Sequence, residues 1–224
     1  MKNWIKKKLV GEGLAFHTVK FGIAKGLKYY LDTKDKTQLF LGLYEIEIHK
    51  YFKKFAKKAD VMFDIGAAYG YYSLIYRSYS KLGQIYSFDP GIGKFDAVYR
   101  ANFKENFGNF DNVNLSGKLV GNTESSDFIK INDVLKEIKN KSILFKIDVD
   151  GGELDVLESG LEAFKQNNCF FVVETHSFKL EENCVALLRK EGYKVKIIKN
   201  GWYRIFIKDL RPLELNRWFV AYKE

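Results

Sequence analysis

The sequence is poor in cysteine and proline, and it has no long uninterrupted run of apolar residues. Its 224 residues include two cysteines, Cys169 in an apolar run and Cys184 in a helical pattern, so a disulfide framework of the kind that staples small secreted domains is excluded. With two prolines and 46% hydrophobic residues, the chain is unlike disordered sequences. No stretch approaches the ~18 apolar residues of a membrane span. We therefore expect one well-packed domain.

Charge and the N-terminal residues give weaker indications. The first ten residues contain lysines but no apolar segment of signal-peptide length, which predicts a cytoplasmic protein. The chain has 37 Lys and Arg against 28 Asp and Glu, a formal charge of +9, and such an excess attracts anions in a way that salt screens. The lysine clusters at 6–8, 53–54 and 57–58 have helical spacing, however, and a solvated helix face explains them. Nucleic acid is disfavoured as a partner but stays open.

The character of the sequence changes near residue 60. Before it, apolar residues recur three and four apart from Tyr44 to Phe55, which predicts a helical N-terminal extension over residues 1–59. After it, short apolar runs alternate with charged amphipathic stretches, as is typical of strands and helices around a parallel sheet buried on both faces. We predict a single α/β domain over residues 60–224, on which the extension packs.

Five strands alternate with four helices in the predicted domain. The strands are Val61 to Ile65, Gln84 to Phe88, Val113 to Val120, Ile143 to Ile147 and Phe170 to Glu174. The helices are Tyr71 to Tyr79, Lys94 to Phe107, Glu153 to Lys165 and Glu181 to Lys190. This succession predicts a doubly wound, mostly parallel sheet. Three further β-rich runs, Lys194 to Lys199, Trp202 to Lys208 and Arg217 to Tyr222, predict an antiparallel C-terminal end.

The first motif with chemical meaning is the turn Asp64-Ile65-Gly66-Ala67-Ala68-Tyr69-Gly70, between a strand and a helix. Gly66 and Gly70 let the backbone turn sharply and approach a ligand, and the helix N-terminus favours a carboxylate. Asp64, at the end of the strand, is placed to accept a hydrogen bond from an ammonium or a hydroxyl. A strand-to-helix turn that needs glycine for structural reasons alone is the alternative interpretation.

The second motif is Asp89, which ends the next strand about 20 residues downstream, where an acidic residue in such folds binds a ribose diol. The dinucleotide version of this arrangement has a central glycine that admits a pyrophosphate, and Ala68 stands at that place. A nucleoside without pyrophosphate is therefore favoured over a nicotinamide dinucleotide. S-adenosylmethionine is such a nucleoside, and its zwitterionic end suits Asp64 and the helix N-terminus.

Two more strands bring polar side chains to the carboxyl edge of the sheet, where ligands bind in open α/β folds. One strand delivers Asp148, Asp150 and Glu153, and its neighbour delivers Glu174 and His176. We predict that Asp148, Glu174 and His176 are catalytic. Alternatively, Asp150 or Glu153 caps the following helix, and His176 ends a strand in a satisfied hydrogen bond.

Taken in order, these motifs resemble the FkbM-type methyltransferases, a branch of the Rossmann-like class I methyltransferases. The resemblance covers about residues 43–223. It rests on Tyr44-Glu45, Asp64 to Ala67, Gly70 to Ser73, Phe88 to Pro90, Lys146 to Glu153 and Glu174 to His176. It implies a seven-stranded sheet, S-adenosylmethionine as methyl donor with S-adenosylhomocysteine as product, and O-methylation of a sugar or another small hydroxylated metabolite. The cofactor-binding residues expected are Glu45, Asp64, Gly66, Ala67, Gly70, Tyr71, Asp89 and Pro90.

The sequence departs from the family pattern at three places. Ala67-Ala68 stands where Ala-Asn is usual, Asp89 where Glu is usual, and Asp150-Gly151-Gly152 where Glu-Gly-Ala is usual. The last two changes preserve charge or small size. The missing Asn removes a side-chain amide beside the expected cofactor, so we expect an effect on its affinity.

Methyl transfer from a sulfonium requires the protein to position the acceptor and to remove its proton. Neutral His176 is the predicted base, with Asp148 orienting the hydroxyl. A divalent cation that bridges Asp148, Glu174 and the acceptor is a second way to acidify that hydroxyl. No strict ligand spacing requires a metal, so none is predicted.

Three other functions stay open. An RNA hydroxyl methyltransferase fits the net charge, whereas a base-amine acceptor does not fit Asp148-Val149-Asp150-Gly151, which stands where such enzymes carry Asn/Asp-Pro-Pro-aromatic. A catalytically silent binding module and, last, a nicotinamide-dependent oxidoreductase are the others. The expected acceptor is a small molecule or glycan, and no oligomeric state is predicted.

Overall fold

The computed structural model describes residues 13–201 and 217–223. Its strands are β1 (Leu14–Thr18), β2 (Lys28–Asp32), β3 (Val61–Ile65), β4 (Gln84–Phe88), β5 (Val113–Ser116), β6 (Leu119–Val120), β7 (Phe128–Ile129), β8 (Ser142–Ile147), β9 (Asn168–Thr175), β10 (Lys194–Ile198) and β11 (Arg217–Tyr222). Its helices are α1 (Thr37–Leu41), α2 (His49–Ala56, after the 3-10 turn Ile46–Ile48), α3 (Tyr71–Tyr79), α4 (Ile92–Phe107), α5 (Ile131–Val134), α6 (Glu153–Glu158), α7 (Leu161–Gln166) and α8 (Phe178–Lys190).

A seven-stranded sheet with the order β10-β11-β9-β8-β3-β4-β5 forms the centre of the fold. The five strands from β9 to β5 are parallel, and β11 is antiparallel to both β9 and β10. The predicted doubly wound, mostly parallel sheet with an antiparallel C-terminal end is confirmed. In the register, Ile65 lies opposite Phe88 and Ile147, and Ile147 lies opposite Val173. The carboxyl ends of β4, β3, β8 and β9 are therefore level, which brings the residues that follow them to one edge.

Both faces of the sheet are buried, because alternate residues of each strand enter two separate cores. Leu144 of β8 packs in the core beneath α2, α3 and α4, whereas Phe145 and Ile147 pack in the core beneath α5 to α8. This two-sided burial is why β8 is a nearly continuous apolar run. Lys146 interrupts that run and points, like Leu144, to the side of α2 and α3, where it lies above the ring of Tyr72.

The predicted helical N-terminal extension is wrong for residues 14–32, where β1 and β2 form an antiparallel hairpin. Burial alternates along β2, which is the pattern that could have indicated a strand: Tyr29 and Leu31 are buried, while Tyr30 is half-buried against Phe16 of β1. Side chains of α4 satisfy the second edge of β2. The Asn102 Oδ1 atom accepts from the Tyr30 amide at 2.8 Å, and Asn106 does the same for Lys28.

Two other predicted elements are divided. The predicted strand from Val113 to Val120 ends at Ser116, and β6 instead pairs with β7 in a separate two-stranded ladder. The predicted helix from Glu153 to Lys165 is broken into α6 and α7 at Gly160, where an added Cβ would come within 2.4 Å of the Phe164 ring. The predicted strand from Trp202 to Lys208 lies outside the described residues. Within residues 13–201 and 217–223, no helix is long and apolar enough to cross a membrane.

Candidate active site

The turn between β3 and α3 depends on two glycines in the left-handed region. Gly66 has φ 83°, and a Cβ there would come within 1.8 Å of the Asp148 carbonyl oxygen. Gly70 has φ 78°, and a Cβ there would come within 2.5 Å of the Tyr99 ring. The backbone amides of Gly66 and Ala67 both donate to the Phe88 carbonyl, at 2.8 and 3.1 Å. The chain itself therefore needs both glycines, and their approach to a ligand stays a prediction.

Asp89 joins this turn to the loop after β4. One carboxylate oxygen accepts from the Ala68 amide at 2.9 Å, and the other accepts from the Gly91 amide at 2.7 Å. A carboxylate has about four lone-pair sites, so each oxygen retains capacity for a hydroxyl. Ala68 has φ 43°, a conformation that Asn tolerates better than Ala. The departure from the usual Asn therefore strains the turn as well as removing an amide.

Asp64 holds the first turn of α3 to the end of β3. Its Oδ2 atom accepts from the Ser73 hydroxyl at 2.6 Å and from the Ser73 amide at 3.1 Å. Burial raises the pKa of Asp64 to about 6, although Ser73 and Lys146 oppose the shift. Direct contact of this buried carboxyl with a ligand remains a prediction.

Glu45 and Tyr71 approach the site from the N-terminal side. Glu45 is buried and accepts a 2.6 Å hydrogen bond from the Tyr72 hydroxyl. The Tyr71 ring packs edge-on against Tyr44 and Tyr72, and its buried hydroxyl has no hydrogen-bond partner among the described residues. Because buried polar groups are nearly always paired, this hydroxyl is suited to a polar group of a bound ligand.

Lys146 is a buried cation among three carboxylates. Its Nζ atom lies 3.7 Å from Glu45 Oε2, 3.5 Å from Asp148 Oδ2 and 3.9 Å from Glu174 Oε2, and its side chain is 3% exposed. Burial lowers the pKa of Lys146, but the three carboxylates outweigh it and the pKa is raised. Burial, followed by Glu45 and Asp148, raises the pKa of Glu174 well above its usual range. Sequence reasoning missed this role of Lys146. A charged residue inside a strand that is buried on both faces could have indicated it, because a buried charge needs partners of opposite charge.

His176 is held by Glu153 and turned toward three further carboxylates. The imidazole Nδ1 atom lies 2.9 Å from Oε1 of the fully buried Glu153. The Nε2 atom lies 3.3 Å from Asp150 Oδ1, 3.7 Å from Asp148 Oδ1 and 3.9 Å from Glu174 Oε1. Burial lowers the pKa of His176, but the hydrogen bond to Glu153 and the nearby carboxylates outweigh it, so the pKa is raised. Glu153, which the sequence suggested as a helix cap, thus orients His176.

The predicted catalytic residues lie together, and the predicted cofactor residues follow the adjacent edge. Asp148, Glu174 and His176 each offer one ligand atom, all within 4.8 Å of one another, and could hold a metal ion. Six predicted cofactor residues lie along the ends of β3 and β4 and the start of α3: Asp64, Gly66, Ala67, Gly70, Tyr71 and Asp89. Pro90 is exposed in the loop that follows β4. Glu45 lies with Lys146, beside the catalytic group.

Solved structures share the fold at low sequence identity. A precorrin-6y C5,15-methyltransferase from Geobacter metallireducens GS-15 aligns with TM-score 0.51 and 15% identity, over 93% of this chain and 95% of that one. An O-methyltransferase from Bacillus cereus, in complex with S-adenosylhomocysteine, aligns with TM-score 0.51 and 13% identity, over 77% of this chain and 79% of that one. A methyltransferase FkbM from Methylobacillus flagellatus KT aligns with TM-score 0.54 and 14% identity, over 86% of this chain and 56% of that one. No curated protein sequence matches significantly.

A family profile adds the activity to the fold. The profile of the methyltransferase FkbM domain matches residues 116–195, from the end of β5 into β10, and this stretch includes Asp148, Glu174 and His176. The fold and the match together define a Rossmann-like methyltransferase that uses S-adenosylmethionine. Within that class, the predicted resemblance to the FkbM-type enzymes is confirmed.

Proposed function

We propose that this methyltransferase transfers a methyl group to a hydroxyl of a sugar or another small hydroxylated metabolite. The observation that carries the proposal is the buried pair of Glu153 and His176, in which His176 Nδ1 lies 2.9 Å from Glu153 Oε1. The other imidazole nitrogen, Nε2, faces Asp148 and Glu174. An alcohol must lose its proton as it attacks, so an enzyme that methylates alcohols needs a group of this kind at the acceptor.

The donor fits the neighbouring strand edge. Bound S-adenosylmethionine supplies a methyl group on a positively charged sulfonium. Asp89 would accept hydrogen bonds from the ribose hydroxyls, since each of its oxygens makes one backbone contact and retains a lone pair. The Tyr71 hydroxyl, buried without a hydrogen-bond partner in the described part of the chain, would bind the amino-acid end beside the N-terminus of α3.

The charge of the site favours a neutral acceptor. Around Lys146 and His176 stand five acidic side chains, those of Glu45, Asp148, Asp150, Glu153 and Glu174. Burial favours the neutral form of Glu174, but the other four carboxylates still outnumber the two cations. An anionic acceptor such as a carboxylate would be repelled, whereas a hydroxyl is not. The same argument weighs against RNA, because its phosphates flank every ribose hydroxyl, and it leaves RNA the weaker candidate despite the net positive charge of the chain.

Methyl transfer from tritium-labelled S-adenosylmethionine to a panel of sugars, polyols, amines and carboxylic acids tests the proposal. We expect label in the sugars or polyols, with the new methyl on oxygen in the NMR spectrum of the product. His176→Ala should lower turnover by ~10² to 10⁴ and leave the affinity for S-adenosylhomocysteine unchanged. His17→Ala, which alters a half-buried imidazole in β1 outside the candidate site, is the matched control. Methylation on nitrogen or carbon would refute the proposal.

A further inference from the structure

One carboxylate oxygen from Asp148, one from Glu174 and the Nε2 atom of His176 face each other at the ends of β8 and β9. The Nε2 atom lies 3.7 Å from Asp148 Oδ1 and 3.9 Å from Glu174 Oε1. These separations exceed those of hydrogen bonds. Atoms that share one ion at about 2.0 to 2.2 Å lie roughly 3 to 4 Å apart, so the spacing fits a common cation.

Lys146 engages the opposite oxygens of the same two carboxylates. Its ammonium lies 3.5 Å from Asp148 Oδ2 and 3.9 Å from Glu174 Oε2. It therefore neutralises part of the buried charge through ion pairs to one oxygen of each carboxylate, at distances longer than hydrogen bonds. The oxygen that faces His176 is in each case the other one. The lysine thus attracts the far oxygens of the two carboxylates without taking the place between them and His176.

The Nε2 atom of His176, which lies 3.3 Å from Asp150 Oδ1 without a hydrogen bond, is the second and independent observation. The side chain is 7% exposed, and its Nε2 atom has no hydrogen-bond partner among the residues that the structure describes. Glu153 binds the other nitrogen at 2.9 Å. A carboxylate that fixes one imidazole nitrogen so that the other presents its lone pair is the usual support of a metal-bound histidine.

We propose that Asp148, Glu174 and His176 bind a divalent first-row transition cation, with open positions for the acceptor hydroxyl. Two carboxylates and one imidazole suit ions such as Mn²⁺ better than Mg²⁺, which prefers oxygen ligands. The cation would lower the pKa of the bound hydroxyl, whose proton would pass to solvent water while its oxygen forms the new bond to the methyl carbon and the sulfonium leaves as a thioether. In this arrangement His176 would act as a metal ligand in place of the base. This inference rests on the proposed function. Its competitor is a protonated His176 paired with the exposed Asp150 at 3.3 Å, which needs no ion.

Direct binding of Mn²⁺ tests the site. Full-length protein is stripped with a chelator, saturated with S-adenosylhomocysteine and titrated with Mn²⁺, while electron paramagnetic resonance follows the free ion. We expect one ion per chain, and pulsed measurements should show modulation from a bound ¹⁴N nucleus. Asp148→Asn should weaken binding at least tenfold, and His176→Ala should abolish the ¹⁴N modulation. Asp96→Asn, which alters an exposed carboxylate on α4, should do neither.

The outcomes separate this proposal from the proposed function. Absence of Mn²⁺ binding in protein that still binds S-adenosylhomocysteine and methylates a hydroxyl would overturn the metal site alone. Equal weakening by Asp148→Asn and Asp96→Asn would also overturn it. Mn²⁺ binding with ¹⁴N modulation would support the site, even if the methyl group were then found on an atom other than oxygen. If His176→Ala fails to fold because Glu153 loses its partner, Asp148→Asn decides, since its side chain is 21% exposed.

Discussion

Replacement of Lys146 by methionine should destabilise the protein far more than the loss of a surface lysine. The ammonium lies 3.5 to 3.9 Å from three carboxylates and is 3% exposed. At such distances each attraction is roughly 4 kcal/mol for an effective dielectric constant of 20, and much of the sum offsets the desolvation of the ammonium. Breaking a buried ion pair from one side typically costs about 3–5 kcal/mol, because the remaining charge stays buried. The melting temperature should then fall by roughly 6 to 20 °C.

Urea unfolding at neutral pH in the presence of EDTA measures this change in the free energy of unfolding. The matched control is Lys165→Met. Lys165 Nζ lies only 2.8 Å from Glu162 Oε1, closer than any carboxylate lies to Lys146, but both side chains of this pair are more than half exposed. Exposed pairs contribute little, so the control should remain close to wild type. Equal losses in the two variants would show that burial does not give Lys146 its importance.

Three further changes test the supporting structure. Asp89→Ala should weaken the binding of S-adenosylhomocysteine by about 10- to 100-fold in equilibrium dialysis, since hydrogen bonds to a charged group contribute about 1.5–3 kcal/mol. Unchanged affinity would show that the ribose binds elsewhere. Because burial raises the pKa of Asp64 from 3.8 to about 6, its contribution to stability is present below about pH 4 and is lost as the pH rises through 6. The unfolding free energy of wild type minus that of Asp64→Asn should therefore fall by up to about 3 kcal/mol from pH 4 to 7, and a constant difference would contradict this. Gly66→Ala should cost about 2–4 kcal/mol in urea unfolding, whereas Gly93→Ala, with no atom within 4 Å of the added Cβ, should cost nothing; similar effects of the two would refute the steric argument.

Local patterns were sufficient for the sheet because each strand has its own signal. The apolar runs before Asp64, Asp89, Asp148 and Glu174 are strands that end within one residue of those positions. The divided elements show the limit of such patterns. Between Val113 and Val120 the residues suit a strand throughout, but the chain leaves the sheet after Ser116, and only pairing with a distant segment decides where a strand ends.

The hairpin before residue 33 was missed for a related reason. The alternation of Tyr29 and Leu31 spans only one short strand, and its burial depends on α4, more than 70 residues away. A segment whose backbone groups are satisfied by side chains from a later helix carries little local signal. The helical spacing of the residues that follow it was easier to recognise, because α2 places Phe52 and Phe55 on one face.

By itself, the sequence determined that the polar residues after four strands meet at one edge, because successive right-handed β-α-β connections leave all the carboxyl ends on the same side. It therefore placed Asp148, Glu174 and His176 together. Only the tertiary structure decided that Glu153 binds one nitrogen of His176 and that Lys146 lies between Glu45 and the two strand-end carboxylates. Those contacts join segments separated by up to about a hundred residues, and their geometry depends on how the helices and strands pack rather than on any local pattern.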